Sequence, residues 1–217
     1  MVNVCGIDEA GRGPMIGPLV IAGVTANEEA LEKLKKLGVK DSKQISPKKR
    51  EALFEKIKDI AVSYDIIIVP AKEVDEALES ESLNLNWLEA IKSAMIVNKL
   101  NPDKVILDAP SNNPKAYSDY FRIYLKEKDV DVVCEHKADE NYPEVSAASI
   151  LAKVTRDREV AKLREKYGDL GSGYPSDPKT KAFLLKNWEK YPEIFRQTWA
   201  SYKNVAVKKN NKTLSDF

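Results

Sequence analysis

KVILDAPSNNPKAYSDYFRIYLKEKDVDVVCEH (residues 104–136) sets two apolar runs on either side of a helical pattern. Residues 104–109 form a short apolar run closed by Pro110, the pattern of a buried strand. Residues 114–125 read as a helix, and residues 130–136 return to an apolar strand pattern. A strand, a helix and a second strand in succession make a crossover unit, which predicts that the two strands pair in parallel.

The chain before this unit reads differently. VNVCGID (2–8) and PLVIAGVTA (18–26) are β-rich runs joined by a connection broken by glycine and proline, which predicts an antiparallel pair. VSYDIIIV (62–69) reads as a third strand ending at Pro70. Between them Asn27 caps a helix through Leu37 with Gly38 as its stop, and Ser46-Pro47 opens a second helix running to about Ile60. Helical spacing recurs at 71–79 and at 85–100. Beyond the crossover unit, PEVSAASILAKVTRDREVAKLREKY (143–167) is one long helical pattern, and two more helices are expected at 177–190 and 192–199. The sum is an α/β chain with a mixed sheet, flanking helices and a C-terminal helical extension. It reads as one domain over residues 1–202, with no internal repeat or linker. Residues 203–217, rich in lysine and asparagine, read as a flexible basic tail.

Composition narrows the class without naming a function. The 217 residues are 43% hydrophobic and 32% charged, as in a soluble globular protein. Thirty-five basic against 34 acidic residues leave a net charge of +1, so any nucleic-acid footprint must be local. Cys5 and Cys134 lie in apolar runs without a CxxC spacing and read as reduced thiols of a cytoplasmic protein. No apolar segment approaches the ~18 residues of a membrane span, and no signal-peptide pattern precedes the first strand.

The chemistry gathers in acids at strand ends. Asp8 and Glu9 close the first strand, Asp108 follows the apolar run 105–107, and Asp139 sits in KADENYP after the last strand. Ligands of α/β sheets bind at the carboxyl ends of strands, and an acid placed there is costly unless it is paired or holds a cation. Any one of these acids is ordinary, since aspartate often ends strands and caps helices; several in one small chain point to a cation site. Neighbouring strand residues face opposite ways, so Asp8 and Glu9 share a site only if the strand has ended by Asp8 or a bulge re-aims one of them. Oxygen-only ligands select hard cations; with His136 the single histidine and no cysteine cluster, Mg²⁺ or Mn²⁺ is favoured over zinc. No Ser-His-Asp or Cys-His nucleophile arrangement is present. The glycines at 11, 13 and 17 miss G-x-G-x-x-G by one residue, and Gly17 precedes Pro18 rather than the lysine of a Walker loop. What remains is a tight loop whose N–H groups can approach a ligand, with Arg12 available for phosphate.

Five blocks resemble type 2 ribonuclease H, particularly its archaeal and eukaryotic branch. They are GIDEAGRGPMIGPLV (6–20), the DSK of Asp41-Ser42-Lys43, ILDAP (106–110), KADENYPEVSAASILAKVTRD (137–157) and GSGYPSDPKT (171–180). The resemblance implies a ribonuclease H-like mixed five-stranded sheet flanked by helices. It implies endonucleolytic cleavage of the RNA strand of RNA–DNA hybrids, and cleavage on the 5′ side of ribonucleotides embedded in duplex DNA. Two-metal hydrolysis with Mg²⁺ or Mn²⁺ would leave a 5′-phosphate and a 3′-hydroxyl. Carried over residue by residue, the metal-binding acids fall on Asp8, Glu9, Asp108 and Asp139. The loop that senses the ribose 2′-OH falls on Gly11, Arg12 and Gly13, and the junction-reading tyrosine on Tyr174. Lys43 and Arg156 sit in matching blocks as phosphate contacts, and an active monomer is expected.

Two other classes are distinguishable. A non-catalytic nucleic-acid-binding module would need basic residues but no set of four acids. A DNA-processing nuclease of the same superfamily would cut an all-DNA duplex as readily as one carrying a single ribonucleotide. In the tail, NKTLSDF looks like the short peptides by which replication and repair enzymes dock on a sliding clamp, with Leu214 and Phe217 as its apolar residues. It departs from that pattern in having Asn211 where glutamine is usual and in ending on one aromatic residue.

Overall fold

The computed structural model describes residues 2–39 and 45–214, with side chains as far as residue 207. Where the sequence reads as one uninterrupted domain, the structure divides into two compact units whose segments alternate along the chain. The first comprises Met1–Ala10, Val20–Ile68 and Asn84–Thr155, and the second Gly11–Leu19, Val69–Leu83 and Arg156–Phe217. Local patterning reports elements one at a time and carries no mark of which distant segments share a core.

The first unit is built on a five-stranded sheet among the described residues: β1 (Val4–Ala10), β2 (Leu19–Ala26), β3 (Ser63–Val69), β4 (Lys104–Asp108) and β5 (Asp131–Glu135), in the order β3-β2-β1-β4-β5. β1 is the middle strand. It pairs antiparallel with β2 and parallel with β4, and β4 pairs parallel with β5, so the sheet is mixed as expected. Helices α1 (Glu28–Leu37), α2 (Pro47–Ile60), α4 (Leu85–Leu100), α5 (Pro114–Ile123) and α6 (Ala138–Asn141) belong to this unit. So does the first half of α7 (Pro143–Tyr167). The caps follow from the sequence. Asn27 accepts the Ala30 N–H at 2.9 Å, Gly38 ends α1 at φ 74°, and Ser46 caps α2 ahead of Pro47. Each such cap contributes about 1 kcal/mol.

Alternation along β1 and β2 splits the packing between two faces. Val20, Ala22, Val24 and Ala26 join one core with Leu34 of α1, Leu53, Phe54 and Ile57 of α2, and Ala147, Ile150, Leu151 and Val154 of α7. On the other face, Gly23 lies against Ile96 and Leu100 of α4. The close approach of α7 depends on Gly6. A Cβ there would stand 2.3 Å from the Val145 backbone nitrogen and 2.4 Å from the Glu144 carbonyl carbon.

The second unit holds α3 (Ala71–Glu79), the latter half of α7, α8 (Pro178–Asn187), a single 3-10 turn at Pro192–Ile194, and α9 (Ala200–Leu214). Its core is Met15, Ile16, Val160, Leu170, Phe183, Leu184, Ile194, Phe195 and Tyr202. One expectation is corrected. Residues 192–199 are not a continuous helix: after the 3-10 turn Phe195 is extended and forms a β-bridge with Ile16, residues 197–199 make a turn and a bend, and the Arg196 N–H donates to the Met15 carbonyl at 2.8 Å. The backbone is helical from Ala200 through Leu214, over most of the segment that the sequence marks as a flexible basic tail from Lys203. Tyr202 is buried and Val205 and Ala206 pack against the same core, which gives the start of this helix an apolar face. No helix among the described residues is long and apolar enough to cross a membrane.

Gly6→Ala should destabilise the protein by about 1–3 kcal/mol, because the atom in the way is backbone rather than a movable side chain. Thermal denaturation should show a midpoint about 3–10 °C lower; an unchanged midpoint would mean that α7 can move away from β1.

Candidate active site

β1 runs regularly through Ala10, with Asp8 opposite Ala22, Glu9 opposite Ile21 and Ala10 opposite Val20. Neither an early strand end nor a bulge intervenes, so the two acids face opposite sides of the sheet. Asp8 meets Asp108, the last residue of β4, and Asp139 of α6. Each of the three offers a carboxylate oxygen, and these oxygens all lie within 4.8 Å of one another. Asp8 is 5% exposed and Asp139 1%. Asp108 also accepts the Ala138 N–H at 3.1 Å, which ties the end of β4 to the start of α6 one residue before Asp139. Glu9 is outside this group. Its charge helps hold the buried Tyr117 phenol in its protonated form, after burial itself and the Glu89 carboxylate.

Burial pushes the Asp8 carboxyl up from 3.8 to about 6; the Lys153 ammonium opposes that rise, Asp108 adds to it, and a hydrogen bond from Ser149 opposes it. Ser149 and Lys153 are one helical turn apart on α7, and the Lys153 ammonium donates to the Ser149 hydroxyl. Val145, Ser149 and Lys153 form a single i, i+4 row, so the contact allowed by Gly6 delivers both polar side chains to Asp8. A cavity of about 230 Å³ is lined by Lys35, Val39, Asp139, Tyr142 and Ser146. Burial and then the Asp108 charge raise the Cys134 thiol to about 12. Three crowded carboxylates, two of them buried, fit a hard cation whose charge offsets their mutual repulsion.

The Gly11–Gly13 loop lies in the second unit, three residues along the chain from Asp8. Gly11 has φ 88°, and a Cβ there would come within 2.5 Å of the Pro18 carbonyl oxygen, so only glycine fits. Gly13 is exposed, and a Cβ on it would lie 3.6 Å from the Tyr174 ring, which places that ring against the loop. Tyr174 is 40% exposed. The GSGYPSDPKT block explains itself as its support. Asp177 accepts the Ser172 N–H at 2.7 Å, the Gly173 N–H donates to the Thr180 hydroxyl at 3.0 Å, and that hydroxyl donates to the Leu170 carbonyl at 2.9 Å.

Arg156 is placed differently from a phosphate contact on an open face. It is buried, its guanidinium carbon stands 5.2 Å from the centre of the Tyr174 ring, and its Nη2 donates to the Ser172 carbonyl at 3.1 Å. Lys43 and Phe217 lie outside the described residues, and Leu214 is described only as helical backbone. Sequence reasoning missed Ser149, Lys153 and Arg196. The first two carried a signal, polar residues four apart inside the apolar run VSAASILAK; Arg196 carried none, since its partners are about 180 residues away.

The geometry can be set beside known proteins. The model of the ribonuclease HII family matches residues 5–202. A ribonuclease HII of Pyrococcus horikoshii is 46% identical over the whole of this chain and 99% of its own. The crystal structure of ribonuclease H2 from Pyrococcus horikoshii OT3 superposes with a TM-score of 0.87 at 45% identity, over 95% of this chain and 98% of that one. A chain of the PCNA:RNase HII complex from Archaeoglobus fulgidus superposes with a TM-score of 0.82 at 42% identity, over 91% and 95% of the two chains. Sequence match, sheet order and the convergence of Asp8, Asp108 and Asp139 agree: the chain belongs to the ribonuclease HII family and is a hydrolytic nuclease.

Proposed function

We propose that the protein cleaves the RNA strand of RNA–DNA hybrids and the 5′ side of single ribonucleotides embedded in duplex DNA, leaving 5′-phosphate and 3′-hydroxyl ends. The observation that carries this reading is the group of three carboxylates within 4.8 Å at the strand ends of the first unit. Asp8, Asp108 and Asp139 would hold Mg²⁺ or Mn²⁺, which supplies the Lewis acidity that activates a water and stabilises the leaving 3′ oxygen. Ser149 and Lys153 orient the Asp8 carboxylate and offset part of its burial cost. Glu9 is the fourth acid implied by the resemblance; it stands outside the group of three carboxylates, so Glu9→Gln should cost less activity than Asp8→Asn.

Sugar reading falls to the loop and Tyr174. The 2′-OH both donates and accepts, so the N–H groups of a tight loop can recognise it, and the exposed Tyr174 ring can pack on the neighbouring deoxyribose. For the tail, the proposed partner is a sliding clamp. The Archaeoglobus fulgidus relative forms a complex with PCNA, and Leu214 and Phe217 supply the apolar residues of the docking peptide.

The metal-free protein provides a test with a definite sign. A carboxyl raised from 3.8 to about 6 binds its proton more tightly when folded, so its contribution to stability is present at low pH and lost as pH rises through about 6. Calorimetric melting in EDTA should therefore show the wild type losing stability between those values. Asp8→Asn should lack that part of the slope, melt at least as high as wild type at neutral pH, and have no measurable cleavage. Near-normal turnover in this variant would remove Asp8 from the chemistry. Tyr174→Ala should reduce cutting at an embedded ribonucleotide about tenfold or more with little change in melting temperature; equal activity would remove Tyr174 from the site. Deleting residues 210–217 should leave cleavage of short hybrids intact and abolish heat of binding to the clamp of the source organism. Absence of any binding by the full chain at high micromolar concentration would refute the docking assignment.

A further inference from the structure

Arg196 is wholly buried in the second unit, at 0% exposure. Its Nη1 donates to the Arg12 carbonyl at 2.9 Å, and its Nη2 donates to the Gly11 carbonyl at 2.6 Å and to the Gly17 carbonyl at 3.2 Å. The guanidinium carbon lies 4.8 Å from the centre of the Trp199 ring, and the Trp199 indole N–H donates to the Gly13 carbonyl at 3.3 Å. Thus the carbonyls of all three residues of the Gly11–Arg12–Gly13 loop are held from one side, three donors coming from a single fork and ring.

The segment carrying Arg196 and Trp199 is itself fixed. Asp75 of α3 accepts the backbone N–H groups of Gln197 and Thr198 at 2.7 and 3.0 Å and the Thr198 hydroxyl at 2.5 Å. On the other side the Arg196 N–H donates to the Met15 carbonyl at 2.8 Å, and the Gly17 N–H donates to the Ile194 carbonyl at 3.3 Å.

A trans peptide is planar, with its C=O and N–H pointing in opposite directions. Turning the Gly11 and Arg12 carbonyls inward onto Arg196 therefore turns the N–H groups of Arg12 and Gly13 outward, toward the side on which Gly13 is exposed and the Tyr174 ring lies. A carbonyl that accepts from a cation also polarises its own peptide and strengthens the attached N–H as a donor. Glycine at 11 and 13 leaves the loop free to adopt many conformations, and the buried fork selects one of them.

We propose that Arg196 is the positioning residue for sugar recognition: from behind the loop it sets and strengthens the N–H donors of Arg12 and Gly13 that meet the ribose 2′-OH. This rests on the reading above that the loop senses that hydroxyl. Lysine at 196 keeps the charge but cannot span three carbonyls with a rigid fork.

The test compares two duplex DNAs, identical except for one ribonucleotide, by fluorescence anisotropy in Mg²⁺ in a cleavage-deficient Asp108→Asn background. With Arg196 intact, the duplex containing the ribonucleotide should bind about tenfold more tightly, the scale of one or two hydrogen bonds. Arg196→Lys should erase most of that preference and leave affinity for the all-deoxy duplex within about twofold. Full retention of the preference in a folded Arg196→Lys protein overturns the proposal, as does an equal loss of affinity for both duplexes, which marks a role in folding alone. Should Arg196→Lys fail to fold, Trp199→Phe decides. It keeps a ring beneath the guanidinium but removes the donor to Gly13, so the preference should fall about threefold, and an unchanged preference again overturns the proposal. If the protein with Arg196 intact shows no preference at all, it is the assignment of the loop to the 2′-OH that fails.

Discussion

An ionised carboxylate on the middle strand of a sheet is held against several kcal/mol of desolvation, and Asp8 is in that position with two further carboxylates within 4.8 Å. The arrangement of the first unit follows from keeping that charge where it is. Asp8 lies on the face that α7 covers, two residues beyond Gly6, and the missing side chain at Gly6 is what brings the helix close enough for Ser149 and Lys153 to act. A bulkier residue at position 6 would lift the row Val145, Ser149, Lys153 away from the strand. The Ala138 N–H bound to Asp108 does a similar job for the third acid, since it fixes where the chain turns into α6. Packing and electrostatics here are one problem.

The two parts of the proposed function are held by opposite devices. The carboxylates repel one another, and the first unit keeps them together with a lysine, a hydroxyl and a backbone N–H, leaving a deficit of positive charge that a cation would fill. The glycine loop has no such tension: its carbonyls converge on a guanidinium that is already in place. Two arginines are thereby distinguished by position alone. Arg12, inside the motif, has the side chain a reader would assign to phosphate, whereas Arg196 acts on the main chain of the motif from outside it. Arg156 repeats the second pattern at Tyr174, where its guanidinium sits over the ring and binds the adjacent Ser172 carbonyl.

Most of the first unit was legible because its signals are local. Strand runs, caps at Asn27 and Ser46 and the long α7 pattern fell where the chain placed them, and the strand–helix–strand unit at 104–136 gave the parallel β4–β5 pair. Asp8, Asp108 and Asp139 were legible for the same reason: each follows or sits in a distinctive apolar context. Glu9 shows the limit, because the choice between a strand end, a bulge and a regular strand depends on pairing with β2, and only the register reveals that the strand continues to Ala10. Residues 192–199 depart from the expected helix because Phe195 is claimed by a bridge to Ile16, a tertiary contact that local patterning does not carry. Arg196 and Asp75 were invisible, since the hydrogen-bond partners of their side chains lie more than 120 residues away in sequence.

The near-neutral charge fits this division of labour. A protein that bound nucleic acid chiefly by counterion release would need a broad basic face, and a balance of 35 basic to 34 acidic residues does not supply one by composition. Many of the lysines are instead paired with carboxylates on their own helices, as in Lys33 with Glu29, Lys58 with Glu55 and Lys162 with Glu159, and such exposed pairs contribute little to stability. Under the proposed function, selectivity comes from short-range features: a cation that the three acids would hold, favouring phosphate locally, and hydrogen-bond donors at fixed angles, favouring one sugar. Both are insensitive to overall charge and both demand rigidity. That demand accounts for an otherwise expensive choice, the burial of Asp8, Asp139 and Arg196 in a chain whose remaining charges are mostly on the surface.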